Sequence, residues 1–420
     1  MKTNATHLRV FLMLSMAVAL YFFANLQRVA IPGSIFNELQ SSLQVGAKYI
    51  TTLSSMFMYI YAAGQLCSGL LADRYGGERV ITFGALLFCL GSVLFPLSQS
   101  LAMLYFCRFL VGMGASAIYL SLVKILSQRF PKKFPVLLGF FLLWGYAGGV
   151  VATAPLVAMV EQLSWRTVML IFGSATAVAY VLFLLSRRMV RLPRVTNTPF
   201  SVSVFLELLK RKHNRNMITY SSCSFGAYYC IHTVIGKKFL EDFCQMSAAA
   251  AAGYIAVVGI IASISGFTMA LISQACGGRK KIFLIISGCV AVFSYGFIVF
   301  ALCMDWRTHF VGILLFAVAW FANQGTLTVP IMKDTNVPES MGAIVSLCNG
   351  IVYMTVALLG NAVGILLDLF EPVRKGTVFI YTNNSYIAVF TLFLLMGCGT
   401  LYNAFKLRDT RGKNVASTTP

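Results

Sequence analysis

Three polar side chains share one face of an apolar segment near the beginning of the chain. Tyr21, Asn25 and Arg28 follow i, i+4, i+7 spacing, which places them on one side of a helix. An arginine side chain binds a carboxylate or phosphate group through two parallel hydrogen bonds. The pattern therefore predicts a ligand-binding arginine. The alternative is an arginine that extends to a membrane surface, because Pro32 and Gly33 follow closely.

A second candidate cluster lies in an apolar segment of the second half of the chain, where Phe225, Tyr228, Tyr229 and His232 share one helix face. Histidine changes its charge near neutral pH, so His232 is predicted to assist a ligand or to carry a proton. The alternative is a histidine that is hydrogen-bonded inside a helix bundle. Further candidates for ligand contact are Trp144, Trp320, Asn323, Gln324, Asn349 and Tyr353. Hydrogen bonds between packed helices are the alternative role for this last group.

The distribution of acidic residues bears on the role of Arg28. All 13 Asp and Glu residues fall in polar loops or at the ends of apolar segments. A charged group in the lipid interior costs at least ~2.5 kcal/mol, so Arg28 is expected to face a water-filled cavity or an anionic ligand. The four His residues are scattered and the 11 Cys residues show no metal-ligand spacing, so we expect no metal and no other cofactor. No nucleophile, base and acid cluster at one depth, so the sequence gives no support to an enzyme.

The composition is that of a membrane protein. Of the 420 residues, 58% are hydrophobic and only 11% are charged, and the mean hydropathy is +0.80. Only helices and closed barrels cross lipid, and a helical crossing takes roughly 20 residues. We therefore expect an all-α membrane protein with twelve transmembrane helices. The predicted spans are 8–32, 49–72, 80–98, 101–127, 135–160, 166–186, 217–237, 248–275, 282–303, 308–330, 341–368 and 384–405.

The positive charges predict the orientation of these spans. The net charge of +20 lies mostly in alternate loops, which are expected to be cytoplasmic together with both termini. The opposite loops hold fewer cations, among them Lys237 and Lys238. Nucleic-acid binding is not expected, because no basic helix with interleaved aromatic residues occurs. The predicted parts are an N-terminal six-helix bundle at 1–186, a cytoplasmic linker loop at 187–216, a C-terminal six-helix bundle at 217–405 and a cytoplasmic tail at 406–420.

A glycine-rich polar turn follows the second predicted span. Its residues are Gly69, Asp73, Arg74, Gly76, Gly77 and Arg79, and a degenerate copy with Gly277, Gly278 and Lys280 follows the eighth span. The fourth span contains Arg108, Gly112 and Gly114. Glycines allow a tight turn and the close approach of helices. These residues resemble the signature motifs of the major facilitator superfamily, and the resemblance implies that they act in gating between conformations.

The resemblance extends over the whole chain. It implies two pseudo-symmetric six-helix bundles that expose a midplane site alternately to each side of the membrane. Within the family, the chain is nearest to the organophosphate and anion:cation symporter-like branches, because organophosphate exchangers pair cations from the first and seventh spans, as Arg28 and His232 would here. Gln27 and Ala115 stand where anion:cation symporters often have carboxylates, which argues against proton coupling through membrane acids. The fifth span lacks the Gly-Pro pair of drug/proton antiporters, which favours uptake over efflux.

The resemblance implies a transporter, and Arg28 indicates a small polar solute that carries a carboxylate or phosphate group. The driving force stays open between proton symport through His232, exchange against another anion, and downhill flow. A neutral or zwitterionic nutrient, such as an amino acid or a nucleoside, is the alternative substrate, and a non-transporting membrane sensor is the alternative function. We expect a monomer in a bacterial cytoplasmic (inner) membrane. Its expected partners are lipid, the solute and, where transport is coupled, a proton or a counter-anion.

Overall fold

The computed structural model describes residues 2–130, 134–190, 203–322, 325–337, 341–375 and 378–410. Within these residues, the regular structure is helical apart from one two-stranded hairpin, which confirms the predicted all-α fold. Among the same residues, ten helices are long and apolar enough to cross a membrane.

Contacts between helices divide the chain into two compact units. The first unit comprises Met1–Ile35 and Met56–Phe200, and the second comprises Phe36–Ser55 and Ser201–Pro420. The division after Phe200 falls within the predicted linker at 187–216. The segment Phe36–Ser55 belongs to the second unit, although it lies in the N-terminal half of the sequence. Packing, and not chain order, therefore determines the membership of this segment.

The first unit is built mostly from long helices. Its helices are α1 (Lys2–Val29), the later part of α3 (Ala47–Tyr75), α4 (Gly77–Leu97), α5 (Leu101–Arg129), α6 (Phe134–Val151), α7 (Ala154–Gln162) and α8 (Trp165–Arg188). A π-helical turn, Ala30–Ser34, continues α1, and Ile31 inside it has non-helical dihedral angles (φ −115°, ψ 114°). Helix α1 packs against α5, α6 and α8, and α4 packs against α5 and α8.

The second unit contains the remaining helices and the hairpin. Its elements are α2 (Phe36–Leu43), the beginning of α3, α9 (Ser203–Lys210), α10 (Lys212–Cys230), a π-helical turn (Ile231–Ile235), α11 (Gly236–Asp242), α12 (Ala248–Ala275), α13 (Lys281–Cys303), α14 (Phe310–Ala322), α15 (Gly325–Thr335), α16 (Met341–Asp368), β1 (Val373–Lys375), β2 (Val378–Ile380) and α17 (Asn383–Lys406). The strands pair in antiparallel register, with Arg374 opposite Phe379. Helix α10 packs against α16 and α17, and α13 packs against α14 and α17.

Two predicted spans, 49–72 and 217–237, are not among the ten helices of the described residues that are long and apolar enough to cross a membrane. Helix α3 covers the first, and α10 with the helical turns that follow it covers the second. Both contain many Ser, Thr and Tyr residues, which lower the mean hydropathy. Hydroxyl groups can be satisfied within a helix, as when the Ser68 hydroxyl donates to the Gly64 carbonyl oxygen at 2.6 Å. Each predicted span thus corresponds to one helix or to consecutive helices.

Candidate functional site

Arg28 is buried in the first unit. Only 4% of the residue is exposed, and its guanidinium carbon lies 4.2 Å from the ring centroid of Tyr61 and 5.6 Å from that of Phe57. Both rings belong to α3. A guanidinium that stacks on an aromatic ring directs its N–H groups along its own plane, where a planar carboxylate can be bound. The arrangement therefore suits an anion-binding group.

Arg108 supports the segment that contains Arg28. It is fully buried, and its two terminal nitrogens donate to the carbonyl oxygens of Gln27 (3.1 Å) and Ile31 (3.3 Å). The break in helix geometry at Ile31 frees carbonyl groups that need donors, because the regular i to i+4 pattern is interrupted there. The Arg108 guanidinium also lies 4.7 Å from the Phe57 centroid. Two buried guanidinium groups therefore lie within 6 Å of one ring.

The other two residues of the predicted α1 face are also buried. The ring of Tyr21 stacks on that of Tyr119 with a centroid distance of 5.5 Å. The amide of Asn25 donates to the Tyr21 carbonyl oxygen at 3.0 Å, so one of its donors is used within its own helix. Tyr21 and Arg28 therefore both contact aromatic residues of neighbouring helices in the first unit. The ring of Trp144, by contrast, is 53% exposed on α6 and contacts Phe22 and Phe140.

His232 lies in the π-helical turn of the second unit and is 7% exposed. Its ring stacks on that of Tyr228 with a centroid distance of 5.9 Å and an interplanar angle of 13°. The ring of Tyr229 lies at 6.1 Å from it. Within the described residues, neither ring nitrogen of His232 has a hydrogen-bond partner. Both nitrogens are also inaccessible to solvent, so the imidazole is a buried polar group with unused hydrogen-bonding capacity.

Aromatic side chains from two helices meet next to His232. Phe225 stacks on Tyr229 at 4.9 Å, and Tyr353 of α16 contacts Phe225 and Tyr229 edge-on at 6.0 and 6.2 Å. Asn349 lies one turn before Tyr353 on the same helix and is half-buried. The structure thus brings Tyr353 to the predicted face of α10. Trp320 is half-buried on α14, whereas Asn323 and Gln324 lie outside the described residues.

The glycine-rich turn joins α3 to α4. Gly76 has a φ of 88°, a conformation that favours glycine, and a Cβ on Gly77 would lie 2.7 Å from the Ser121 carbonyl oxygen. The guanidinium of Arg74 is exposed and stacks on Tyr75. Arg79 is half-buried. The backbones of Gly69 and Asp73 lie in α3, and their side-chain positions are outside the described part of the structure.

The glycines of the fourth span lie where helices approach closely. A Cβ on Gly112 would lie 2.7 Å from the Phe57 carbonyl oxygen. A Cβ on Gly114 would overlap the Gly84 carbonyl oxygen and the Phe88 backbone nitrogen. Gly112 therefore allows α5 to approach α3, and Gly114 allows it to approach α4. Their gating role stays a prediction.

The sequence interpretation missed two ion pairs beside the glycine-rich turn and its copy. Glu78 is 1% exposed, and its carboxylate pairs with Arg129 at 3.2 Å. In the second unit, Lys280 pairs with Asp334 at 3.3 Å, with the charges reversed. Glu78 directly follows the two glycines of the motif, and Lys280 follows those of the copy at a spacing of two. The partners Arg129 and Asp334 lie just after the predicted fourth and tenth spans. This equivalent placement of opposite charges in the two halves is the sequence signal that could have identified both pairs.

Lys237 and Lys238 require a correction. The sequence analysis assigned them to a loop, but the structure places them in α11, with 3% and 1% of each residue exposed. Their ammonium groups pair with Glu241 (3.0 Å) and Asp242 (2.7 Å) one helical turn later. The i, i+4 spacing of opposite charges continues the helix beyond the apolar segment, and hydropathy alone does not detect this.

Comparisons with known proteins agree with this architecture. A family model described as Major Facilitator Superfamily matches residues 13–361. The drug efflux pump JefA of Mycobacterium tuberculosis (strain CDC 1551 / Oshkosh) is 29% identical over 38% of this chain and 31% of its own length. Monocarboxylate transporter 2 of Homo sapiens is 30% identical over 33% of this chain and 29% of its own length. The sialic acid transporter NanX of Escherichia coli (strain K12) is 25% identical over 41% of this chain and 43% of its own length. The chain thus matches less than half the length of each of these relatives.

Two solved structures resemble the whole chain. A bacterial homologue of the human lysosomal transporter Spinster, in an inward-facing and unoccupied conformation, has a TM-score of 0.74 at 14% identity and covers 95% of this chain and 98% of its own. A mutant of the nucleoside transporter NupG has a TM-score of 0.66 at 15% identity and covers 93% of this chain and 98% of its own. At these identities, the similarity establishes the fold alone.

Proposed function

Because the chain belongs to the major facilitator superfamily, as its motifs predicted, we propose that it moves a small anionic metabolite across the cytoplasmic membrane by alternating access. The family model supports a multi-pass membrane protein, and the names of the relatives support the transport of a small solute. The anionic substrate, the inner membrane and the uptake direction are our proposal. So are the assignment of both termini to the cytoplasm and the division into two six-helix bundles joined by the linker at 187–216.

The observation that carries the anionic substrate is the pair of buried guanidinium groups beside Phe57. Arg28 and Arg108 are 4% and 0% exposed, and both lie within 6 Å of the Phe57 ring centroid. Positive charge in a medium of low dielectric constant raises the local electrostatic potential, so an anion bound there is stabilised more than in water. Arg108 uses two of its N–H groups on backbone carbonyl oxygens. Arg28 is therefore the proposed anion-binding residue, and Arg108 supports its position.

A carboxylate is the anion that we favour over a phosphate. Two of the relatives are named for the transport of organic acids, namely a monocarboxylate and sialic acid. The rings of Tyr61, Tyr21 and Tyr119 in the unit of Arg28 offer flat apolar surfaces and hydroxyl groups for the body of such a molecule. Arg28 would bind the carboxylate. Ligand contact by His232 and Tyr228 of the second unit is a separate prediction.

Uptake into proteoliposomes tests this proposal. The purified full-length protein is reconstituted and assayed with labelled monocarboxylates, sugar phosphates, a neutral nucleoside and a zwitterionic amino acid. We expect saturable uptake of at least one carboxylate and inhibition by other carboxylates. Uptake of the nucleoside or amino acid alone would contradict the anionic substrate. Binding of a ligand without uptake would favour a membrane sensor.

A further inference from the structure

Polar contacts hold the segment Phe36–Ser55 in the second unit. We call this stretch the docked segment. The Asn37 amide donates to the Glu241 carboxylate at 2.8 Å, and the Gln40 amide donates to the Tyr381 hydroxyl at 2.7 Å. These bonds connect α2 to α11 and to the residue that follows β2. The beginning of the docked segment is therefore held by side-chain hydrogen bonds, whose strength depends on the protonation state of the partner groups.

The later part of the docked segment is attached at the start of α3. The backbone N–H groups of Ala47 and Lys48 donate to the two carboxylate oxygens of Asp368, the last residue of α16, at 2.8 and 2.9 Å. A carboxylate at a helix N-terminus satisfies free N–H groups and interacts favourably with the helix dipole. The first turn of α3 is therefore held by α16 through two hydrogen bonds to one carboxylate.

A buried cluster of charges lies beneath α2. The Lys238 ammonium pairs with Asp242 and also donates to the Phe379 carbonyl oxygen at 2.6 Å. The second carboxylate oxygen of Asp242 accepts from the Tyr381 backbone N–H (3.0 Å) and the Tyr386 hydroxyl (2.8 Å). The Glu241 carboxylate accepts from Asn37 and pairs with Lys237. Both carboxylates on α11 thus have their charge compensated within the cluster.

Glu38 is the third carboxylate of this cluster and differs from the other two. Its Oε2 atom is inaccessible to solvent and has no hydrogen-bond partner among the described residues. Burial raises the pKa of the Glu38 carboxyl group above its usual value, and the positive charge of Lys237 only partly opposes this effect. Three carboxylates face two ammonium groups here, so the fully ionised cluster has one negative charge in excess. One bound proton would remove that excess.

The other ionisable groups near the docked segment contact its later part. Asp368 binds the start of α3, Lys48 lies on α3 itself, and Arg374 of β1 donates to the Gln44 amide oxygen at 2.8 Å. The phenol groups of Tyr381 and Tyr386 serve as partners of Gln40 and Asp242. Burial also raises the pKa of Asp242, but the Asp242 oxygens accept three hydrogen bonds from Lys238, Tyr381 and Tyr386. Glu38, whose Oε2 atom has no partner among the described residues, is therefore the carboxyl group that we assign to the proton.

We propose that Glu38 is a proton-binding site and that its proton determines how firmly the docked segment is held by the second unit. A cavity of about 670 Å³, lined in part by Glu241, Asp242 and Tyr381, opens beside the cluster, and Glu38 lies behind these lining residues. The loop charges predict that this side of the molecule is extracellular. The site then responds to the external pH. It is independent of which solute the protein carries.

The direction of the effect follows from proton linkage. Docking raises the Glu38 pKa, so the docked state binds the proton more tightly than the released state does. The docked segment is held most firmly when the pH is below the ordinary carboxyl pKa. The extra stability of the docked state is lost as the pH rises through the raised pKa that Glu38 has in that state. Each unit of pKa difference changes the docking equilibrium tenfold. External acid therefore favours the docked conformation.

Hydrogen–deuterium exchange of the full-length protein in lipid nanodiscs tests the proposal without any solute. Exchange is measured between pH 5 and pH 9 and corrected for the intrinsic pH dependence of amide exchange. We expect the protection of peptides from the docked segment to fall several-fold as the pH rises, whereas peptides from α8 keep their protection. A wild-type docked segment whose protection is the same across this range would overturn the proposal.

Three variants assign the effect to Glu38. Glu38→Gln cannot titrate, so protection of the docked segment should no longer change with pH. Glu38→Asp keeps a carboxyl group and should keep the pH dependence, which covers the case in which the Gln variant does not fold. Glu371→Gln removes an exposed carboxylate near the hairpin and should behave like the wild type. A Glu38→Gln protein with the wild-type pH dependence would show that another group binds the proton.

Discussion

The role of Arg28 leads to the most demanding prediction. Replacing it with Ala removes a buried guanidinium that stacks on Tyr61 at 4.2 Å. A carboxylate about 4 Å from a unit positive charge is stabilised by about 4 kcal/mol at an effective dielectric constant of about 20. Truncating one partner of such a pair typically costs roughly 2–5 kcal/mol. Since about 1.4 kcal/mol corresponds to a tenfold change, we expect Arg28→Ala to weaken anion binding by roughly 30-fold or more.

The assay begins with a thermal-shift screen of the purified protein against carboxylates and phosphates. The Kd of the best ligand is then measured by isothermal titration calorimetry for the wild type, Arg28→Ala and Arg28→Lys. The Lys variant keeps the charge but loses the planar fork, so its affinity should fall between the other two. Arg188→Ala is the matched control, because Arg188 is exposed at the end of α8 and its removal changes the net charge equally.

One result would refute the assignment of Arg28. If anionic ligands bind the Arg28→Ala variant with the wild-type affinity, the buried guanidinium does not contact the solute. Arg28 would then serve helix packing through Tyr61 and Phe57. An equal loss of affinity in Arg188→Ala would attribute the effect to net charge and would also contradict the proposal.

Three further predictions concern single residues. His232→Gln should weaken ligand binding by roughly two- to tenfold, as expected for the loss of one hydrogen bond, and the same calorimetric titration measures it. Gly114→Ala should lower the thermal unfolding midpoint, because a Cβ there overlaps backbone atoms of α4 and overpacking costs roughly 1–3 kcal/mol. Gly253→Ala is its control, since nothing lies within 4 Å of a Cβ at that position. Asp242→Asn should reduce the free energy of unfolding by roughly 3–5 kcal/mol, because it leaves the buried Lys238 ammonium without its counter-ion.

Each of these has a contradicting outcome. An unchanged Kd in His232→Gln would place the imidazole outside the ligand contacts. Equal midpoints for the two glycine variants would show that α4 and α5 can separate without cost. For Asp242→Asn, the added substitution Lys238→Met should restore part of the lost stability. If stability falls further, the ion pair is not the reason for the effect.

Several features were determined by the sequence alone. Lipid forces every crossing segment to be helical, so hydropathy and loop length were enough to predict the fold class. Ten of the twelve predicted spans correspond to helices of the described residues that are long and apolar enough to cross a membrane. The tight turn at Gly76 was predictable from the paired glycines, and the φ of 88° found there is a conformation that favours glycine. The i, i+4, i+7 spacing of Tyr21, Asn25 and Arg28 placed all three on one helix face, and all three are buried in the structure. Local rules of this kind depend on neighbours in the chain.

Only the tertiary structure decided which partners these residues meet. Periodicity assigns a side chain to a face but not to the helix that packs against it, so the contacts of Arg28 with Tyr61 and Phe57 were not predictable. Hydropathy counts a lysine as polar wherever it lies, and it therefore missed the burial of Lys238. The docked segment belongs to the N-terminal half of the sequence, yet it is held by partners far along the chain, such as Glu241, which lies 204 residues after Asn37. Contacts over such distances depend on how whole helices pack, and no local pattern in the chain encodes them.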